Sequence, residues 1–298
     1  MQSSGRLLGI VLLLIFIYPE ARAQNLTTPY NNSRPTTKAY RVEKGPDIDG
    51  EILTDSLWKT IPAFTEMIQT QPNMGSVSTE LTEIRIAYDK DNFYVSAICH
   101  DLTPEKIIIS DSRRDALLDA TDAFLFILDT YKDGQNGFVF GTNPAGIEYD
   151  AQVDNEGQTT NNANRQQGGR IGGINLNWDA SWTVKTKVNE VGWMAEFAIP
   201  FRTLRYMSGK EQVWGVNFQR NIQKNNEAAY WSPIPVEFNL HRLSFEGTLT
   251  GLDLQTPGNL KFIPYVLGNV TSNNLVNPQK PPGKPMWVAT SNTVLHPA

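Results

Sequence analysis

The segment from Asp122 to Val153 restricts the possible folds more than any other part of this 298-residue sequence. Its first run, Ala123 to Leu128, is apolar at every position, which is typical of a strand that is covered on both faces. Turn residues follow at 132–134 and at 143–146. The last run, Ile147 to Val153, alternates apolar and polar residues. The segment therefore predicts a central strand, followed by a strand whose polar face is either solvent surface or the floor of a polar groove.

Other parts of the chain repeat the pattern of short alternating strands. Residues 81–100 and 181–199 each predict a hairpin, and residues 213–222 predict a further strand. No long amphipathic helix is indicated anywhere, so the fold class is an all-β, antiparallel sandwich. The lone cysteine, Cys99, continues the apolar face of its strand and is predicted to lie in the core. With a single cysteine no internal disulfide forms, and stability has to come from apolar burial.

The N-terminal residues 1–23 are typical of a secretory signal peptide. They combine an early arginine, an apolar run too short to span a bilayer, and the cleavage pattern Ala21-Arg22-Ala23. The mature chain is therefore expected to be exported. Residues 24–38 are expected to form a flexible leader, and residues 39–256 the sandwich domain. Residues 257–298 are predicted to be the start of a truncated barrel-like domain or a disordered tail.

Net charge narrows the range of partners. The formal charge is −5, which argues against nucleic acid and against anionic lipid surfaces. We expect a monomer.

A set of short motifs occurs in a specific order: Asp47-x-Asp49-Gly50 with Trp58, Val95 to Asp101, Asp122 to Asp129, Gly192 to Phe201, Trp214 to Arg220, and Trp231-Ser-Pro233. Over about residues 40 to 252 the chain resembles the family 9 carbohydrate-binding module, which implies a jelly-roll-like sandwich. Residues 136–146 resemble more narrowly a subgroup of exported bacterial proteins. In that subgroup the module precedes a large membrane β-barrel-like domain of unknown function.

The resemblance also implies where a sugar would bind. In sugar-binding members two tryptophans clamp a terminal sugar, and a strand glutamate and a polar side chain contact it. Gln219 matches the polar contact. The places of the other residues are taken here by Leu118 and Asp119, by Phe238 and Asn239, and by Leu125. Neither clamp position is a tryptophan, so this module uses other aromatic side chains or no longer binds sugar.

A sugar site needs an aromatic platform and a ring of hydrogen-bonding groups. For Trp231, the sequence supports a core position and a site position equally. Arg220 falls on the apolar face of its strand, which indicates either a buried ion pair or a ligand contact. The candidate ligand-binding residues are Gln219, Asn217, Arg220, Trp231, Phe238, Tyr149, Asp150 and Arg114.

Signals for catalysis and metal binding are sparse, and no catalytic residue is assigned. Glu148 and Asp150 share one strand face and are a conceivable acid pair, although a solvated face explains them as well. Asp129 and Asp133 are candidate ligands for calcium, because the family resemblance includes calcium-binding members and carboxylates suit that ion. No other cofactor is expected.

These features predict non-catalytic glycan binding by an exported cell-envelope protein, located in the periplasm, the outer membrane or the cell surface. A role in polysaccharide catabolism is consistent with that prediction. Two alternatives stay open. One is a structural or interaction domain attached to an outer-membrane barrel, with the sugar site lost. The other is a part of a glycoside hydrolase.

Overall fold

The computed structural model describes residues 34–158, 170–171, 173–207, 209 and 211–254. The predicted signal peptide, residues 1–23, and the predicted C-terminal segment, residues 257–298, lie outside these ranges. So does most of the predicted leader, of which only residues 34–38 are described.

Within the described residues, fifteen strands form two sheets that pack face to face. The larger sheet has the order β1-β15-β13-β6-β7-β8-β10-β9, and β14 and β3 extend it beside β13. Its strands are β1 (Thr36–Lys38), β3 (Ile68–Gln71), β6 (Ala123–Asp129), β7 (Gly137–Thr142), β8 (Tyr149–Val153), β9 (Arg170–Ile171), β10 (Ile174–Asn175), β13 (Glu211–Ile222), β14 (Glu227–Tyr230) and β15 (Gly247–Asp253). The smaller sheet has the order β11-β12-β5-β4-β2, with β2 (Tyr40–Arg41), β4 (Thr82–Tyr88), β5 (Asn92–His100), β11 (Thr183–Asn189) and β12 (Gly192–Pro200).

An aromatic core fills the space between the sheets. Phe126 contacts Phe197 edge to face at 5.1 Å between ring centroids, and Trp182 stacks on Phe197 at 5.8 Å. Trp214 and Cys99 are fully buried there, as their strand positions predict. Burial raises the pKa of the Cys99 thiol to about 11, so the thiol stays protonated. The predicted all-β sandwich with a jelly-roll-like fold is confirmed.

Strand β6 is central, as its uniform apolar sequence predicts. It pairs with β13 on one side and β7 on the other, and all seven of its residues are buried. Phe124 and Phe126 face the core between the sheets, whereas Leu125 and Ile127 face a second apolar cluster on the outer side. Residues of the 231–246 segment, including Leu240, cover that outer cluster. The larger sheet is therefore covered on both sides, and a third layer of loop lies over it.

The outer face of the smaller sheet is closed by the segment around the only α-helix of the described residues, α1 (Ser56–Thr60). The Asp55 side chain caps the helix by accepting a hydrogen bond from Leu57 N at 2.6 Å. Trp58 is buried, and its indole Nε1 donates to Glu196 at 2.6 Å. The backbone amide of Gly50 donates to the same carboxylate at 2.6 Å. These bonds explain why the Asp49-Gly50 turn, Trp58 and Glu196 occur together in the sequence.

Strand pairing departs from the sequence prediction in two respects. The sheets are mixed, because β1 pairs with β15 and β2 with β4 in parallel. The ordered sandwich also begins at Thr36, before the predicted start at residue 39, because β1 is held by three residue pairs with β15. Such short edge strands carry little alternating pattern, so the sequence does not reveal them.

Among the described residues, no helix is long and apolar enough to cross a membrane.

Candidate functional site

A pocket of about 190 Å³ opens on the outer face of the larger sheet. Ligand pockets usually measure about 300–1,000 Å³, so this one suits a single small ring or part of a larger ligand. Strands β6, β8 and β13 provide its floor, and loops at 117–119 and 239–241 provide its walls. It is lined by Leu117, Leu118, Asp119, Leu125, Tyr149, Ile174, Leu176, Gln219, Asn221, Asn239, Leu240 and His241.

Hydrogen bonds fix the polar floor of the pocket. Gln219 lies opposite Leu125 in the β13–β6 pairing. Its Nε2 donates to Asn221 Oδ1 at 2.8 Å, and Asn221 Nδ2 donates to the Leu118 carbonyl at 3.0 Å. This chain of bonds ties the 117–119 wall to the sheet. It also orients the Gln219 amide so that its carbonyl oxygen stays available as an acceptor.

Tyr149 supplies the pocket's only aromatic ring. Its side chain is largely buried, with 7% of its surface exposed. Burial, followed by the charge of Asp119, raises the pKa of Tyr149 to about 12. The hydroxyl therefore keeps its proton at neutral pH and offers both a donor and an acceptor.

His241 adds a polar group that has no partner among the described residues. Its Nδ1 atom is buried and forms no hydrogen bond to any described residue. Burial lowers the pKa of His241 to about 4, so the ring is neutral at neutral pH. A buried ring nitrogen without a partner is costly unless a ligand or water pairs with it.

The charge of the pocket is carried by Asp119 alone. Its carboxylate lies at the exposed rim, where Asn239 is also exposed. No lysine or arginine belongs to the lining. The site can therefore offer hydroxyl, amide, imidazole and carboxylate groups to a neutral ligand.

Of the eight ligand-binding residues predicted from the sequence, the structure brings Gln219 and Tyr149 together in this pocket. Phe238 lies beside it but not in the lining. Its ring packs on Phe245 at 5.4 Å, and the Arg242 guanidinium lies 4.3 Å from the ring centroid. Phe238 is therefore used in packing the covering loop and offers no stacking face to the pocket.

Asn217 and Trp231 lie inside the protein and not in the pocket. Asn217 is buried, and its amide exchanges hydrogen bonds with the backbone of Ser232 at 2.8 and 2.9 Å. Trp231 is a core residue and packs against Phe64 and Phe218 at 5.3 and 5.8 Å. Of the two alternatives for Trp231, the structure shows the core position.

Arg220 is also fully buried, between the two sheets. Its Nη2 lies 3.8 Å from Asp122 Oδ1, and its guanidinium lies 4.9 Å from the ring centroid of Trp193. The structure thus shows the buried ion pair and not a ligand contact. The reason is the strand phase, which turns Arg220 inward while Gln219 and Asn221 turn outward.

Arg114 and Asp150 belong to an ion cluster outside the pocket lining. Arg114 binds Glu148, contacts Asp150 at 3.1 Å, and contacts Asp179 at 2.7 Å. Asp150 is nearly inaccessible and accepts a further bond from Trp182 Nε1 at 2.9 Å. The polar face of β8 is therefore partly covered, contrary to the sequence prediction. Glu148 and Asp150 share one arginine, which occupies the space between the two acids that a substrate would need.

Asp129 and Asp133, the candidate calcium ligands, accept hydrogen bonds within one turn. Asp129 accepts backbone hydrogen bonds from Tyr131 and Gly134, and Asp133 accepts them from Gln135 and Asn136. Their oxygens thus close the turn that Lys132 and Gly134 form with positive φ. In the described ranges no group of three or more His, Cys, Asp or Glu side chains could hold a metal ion.

Sequence reasoning did not assign Asn221 and His241 to the site. Asn221 alternates with Asn217 and Gln219 on the polar face of β13, so the period-2 pattern could have identified it. His241 lies in a loop without periodicity, and no local signal marks it. The aliphatic lining around Ile174 and Leu176 comes from a stretch that reads as polar loop in the sequence.

Comparison with known proteins agrees with this architecture. The profile of the family described as "Carbohydrate family 9 binding domain-like" matches residues 48–232. A family 9 carbohydrate-binding module from Caldicellulosiruptor kristjanssonii, in complex with glucose, aligns with a TM-score of 0.50 at 15% identity and covers 76% of this chain and 100% of that one. A Bacteroides uniformis protein described as a candidate carbohydrate-binding protein aligns with a TM-score of 0.53 at 17% identity, covering 74% and 100%. No curated protein matches the chain.

The chain belongs to the family 9 carbohydrate-binding-domain-like proteins, because the family profile spans more than half of its length. At such low identity the two solved structures show the shared fold alone.

Proposed function

We propose that this protein binds a carbohydrate, without catalysis, in the pocket on the outer face of the larger sheet. One observation carries the proposal. The positions that the family resemblance marks for sugar contact are spread over more than a hundred residues of sequence, yet Leu118, Asp119, Leu125, Gln219 and Asn239 all line this one pocket.

The chemistry of the pocket supports a polyhydroxylated ligand. A sugar hydroxyl both donates and accepts a hydrogen bond, and the pocket offers groups of both kinds in the Gln219 carbonyl, the Tyr149 hydroxyl and the His241 Nδ1. Of these, the His241 Nδ1 has no partner among the described residues. The glucose complex of the similar module supports the same ligand class. No such set of free polar groups surrounds the Glu148–Asp150 pair, because Arg114 binds both acids.

The test is calorimetric titration of the full chain with a panel of mono- and oligosaccharides that includes glucose. Saturable binding of at least one neutral sugar is expected. Gln219→Ala is expected to weaken that binding about tenfold, because a hydrogen bond to a sugar hydroxyl is lost in a partly buried site. Gln71→Ala is the matched control, since Gln71 is an exposed amide that is not part of the pocket.

A second candidate function is supported by the clamp positions. Leu118 and Asp119 occupy the first clamp position, where sugar-binding members have a tryptophan. Phe238 occupies the second clamp position, and its ring packs against the Arg242 guanidinium. A domain that has lost its sugar platform would serve as a structural or interaction domain. A folded protein that binds no sugar of the panel would favour this second function over the first.

The cellular setting is also a proposal. The signal-peptide pattern of residues 1–23 supports export to the periplasm or cell surface, and the similarity of residues 136–146 to barrel-linked proteins supports attachment to an outer-membrane barrel. A role in polysaccharide catabolism follows if the ligand is a polysaccharide end. Mass spectrometry of the protein from a cell-envelope fraction tests the export step. A mature N-terminus at Gln24 is expected, and an intact Met1 in the cytoplasmic fraction would exclude export.

A further inference from the structure

The pocket differs from a stacking site in the nature of its apolar surface. Six of its lining residues are leucine or isoleucine, and Tyr149 is its single aromatic ring. Flat aromatic faces suit the flat apolar side of a sugar ring, whereas branched aliphatic side chains enclose small rounded groups such as a methyl. Leu118, Leu125 and Leu240 are nearly inaccessible, so they form a fixed apolar niche.

The rim of this niche carries apolar surface that the protein itself leaves uncovered. Leu117 is 63% exposed, although it lies directly beside the buried Leu118. A ligand that places an aliphatic substituent against these two leucines removes that surface from water.

The polar groups beside the niche match an amide. The Gln219 Nε2 donates to Asn221, so the carbonyl oxygen of the same amide can accept a hydrogen bond from a ligand. The Tyr149 hydroxyl keeps its proton and can donate one. An acetamido group presents one N–H and one C=O next to a methyl, so each of its three parts has a counterpart in the pocket.

The charge of the site restricts the ligand further. Asp119 is the only acidic side chain in the lining, and burial keeps His241 uncharged at neutral pH. A carboxylate or sulfate on the sugar would meet a like charge and no lysine or arginine partner.

We propose, on the basis of the carbohydrate-binding function, that the preferred ligand is a neutral N-acetylated sugar whose acetamido methyl enters the niche formed by Leu118, Leu125 and Leu240 and contacts Leu117 at its rim. Glucose then binds more weakly, and uronic acids are rejected.

The test is titration of the full chain with four monosaccharides: N-acetylglucosamine, glucose, fucose and glucuronic acid. N-acetylglucosamine is expected to bind about tenfold more tightly than glucose, from one buried methyl and an amide hydrogen bond. Fucose, which has a methyl but no amide, is expected to bind less tightly than N-acetylglucosamine.

Leu117→Ser provides the residue-level test. Because Leu117 is largely exposed, the fold is expected to tolerate the change, and the preference for N-acetylglucosamine over glucose is expected to fall several-fold. Leu102→Ser is the matched control, since Leu102 is 86% exposed and is not part of the lining; it is expected to leave the preference unchanged.

The possible failures are distinct. Equal binding of glucose and N-acetylglucosamine, tighter binding of fucose, or tightest binding of glucuronic acid would each overturn the acetamido inference and leave carbohydrate binding intact. An unchanged preference in Leu117→Ser would overturn the proposed niche. Absence of binding by every sugar of the wider panel would overturn the proposed function itself.

Discussion

Two buried glutamates, one on each outer face of the sandwich, have opposite surroundings. Glu196 on the smaller sheet accepts hydrogen bonds from Asp49 N at 3.0 Å, Gly50 N at 2.6 Å and Trp58 Nε1 at 2.6 Å. Glu246 lies over Gly215 on the larger sheet, and its Oε2 is buried without a hydrogen-bond partner among the described residues. Its only nearby cation is Lys132, at 4.0 Å, while Asp129 adds a like charge.

The polar groups on the outer face of the smaller sheet stabilise the fold, whereas the outer face of the larger sheet carries buried polar groups without a partner among the described residues. On the smaller sheet, donors converge on one carboxylate and fasten the covering segment. On the larger sheet, buried polar atoms of Glu246 and His241 have no hydrogen-bond partner among the described residues, and the pocket opens beside His241. Unpaired polar groups cost stability, and they are also the groups that a ligand can satisfy.

The largest expected effect comes from breaking the closed face. Glu196→Ala leaves three donors without their shared acceptor, two of them in buried positions. We expect the free energy of unfolding to fall by about 3 to 5 kcal/mol. Urea denaturation followed by tryptophan fluorescence measures it. Glu190→Ala is the control, because that glutamate lies exposed at a turn. A loss below about 1 kcal/mol would show that the covering segment is held by apolar packing alone.

The next effect depends on pH and concerns Glu246. Burial, followed by the charge of Asp129, raises the pKa of Glu246 from its ordinary value of 4.5 to about 9. Below the lower value the carboxyl is protonated in both the folded and the unfolded chain, so no penalty arises. As pH rises between the two values, only the unfolded chain ionises, and the free energy of unfolding falls.

Glu246→Gln removes that penalty. The variant is expected to be roughly 2 to 4 kcal/mol more stable than the natural protein near pH 8 and equally stable near pH 4. Denaturation at a series of pH values checks this. Glu237→Gln, at an exposed glutamate, is expected to give no such difference. Parallel pH profiles of the Glu246 variant and the natural protein would contradict the assignment.

A smaller effect is expected at the ion cluster beside the pocket. Arg114→Ala leaves the buried Asp150 with hydrogen bonds from Trp182 and the Ala180 amide but without its cation. Because Arg114 is 42% exposed, water screens the pair, and the expected loss is about 1 kcal/mol, reduced at high salt. Arg113→Ala is the matched control, since Arg113 is 84% exposed and pairs with Asp111 alone. An equal loss in both variants would remove any special role for the cluster.

The smallest effect on stability is expected at the pocket itself. Gln219→Ala removes one hydrogen bond to Asn221 on a partly exposed surface, and the free energy of unfolding should change by less than about 0.5 kcal/mol. Thermal unfolding measures it in the same samples that are used for sugar titration. A loss as large as that of Glu196→Ala would mean that the open face is as tightly built as the closed one.

The sequence predicts what depends on strand period and burial. The uniform run of β6 and the hairpins β4–β5 and β11–β12 follow from local patterns and are present in the structure. The buried position of Cys99 is predicted in the same way, because period-2 alternation reports directly which face is buried.

The site could be predicted only in part, because it forms between segments that are distant in sequence. Alternation places Gln219 on the outer face, but it does not show that the loop carrying His241 folds back over that face. Nor does it show that Asp150 meets Arg114 and Trp182, which come from two other parts of the chain. Such contacts are set by tertiary packing, for which a single sequence carries no local signal.

The parallel pair of β1 and β15 has a mechanical consequence. Thr36 to Lys38 run alongside Thr248 to Thr250, and flanking bonds join Pro35 O to Thr248 N and Ala39 N to Thr250 O, each at 2.9 Å. When the chain is pulled before β1 and after β15, the two forces act in opposite directions along the two parallel strands. All hydrogen bonds between β1 and β15 are then sheared together and are not opened one after another. The pair therefore acts as a clamp against stretching, and a domain tethered through both ends resists extension until this ladder yields.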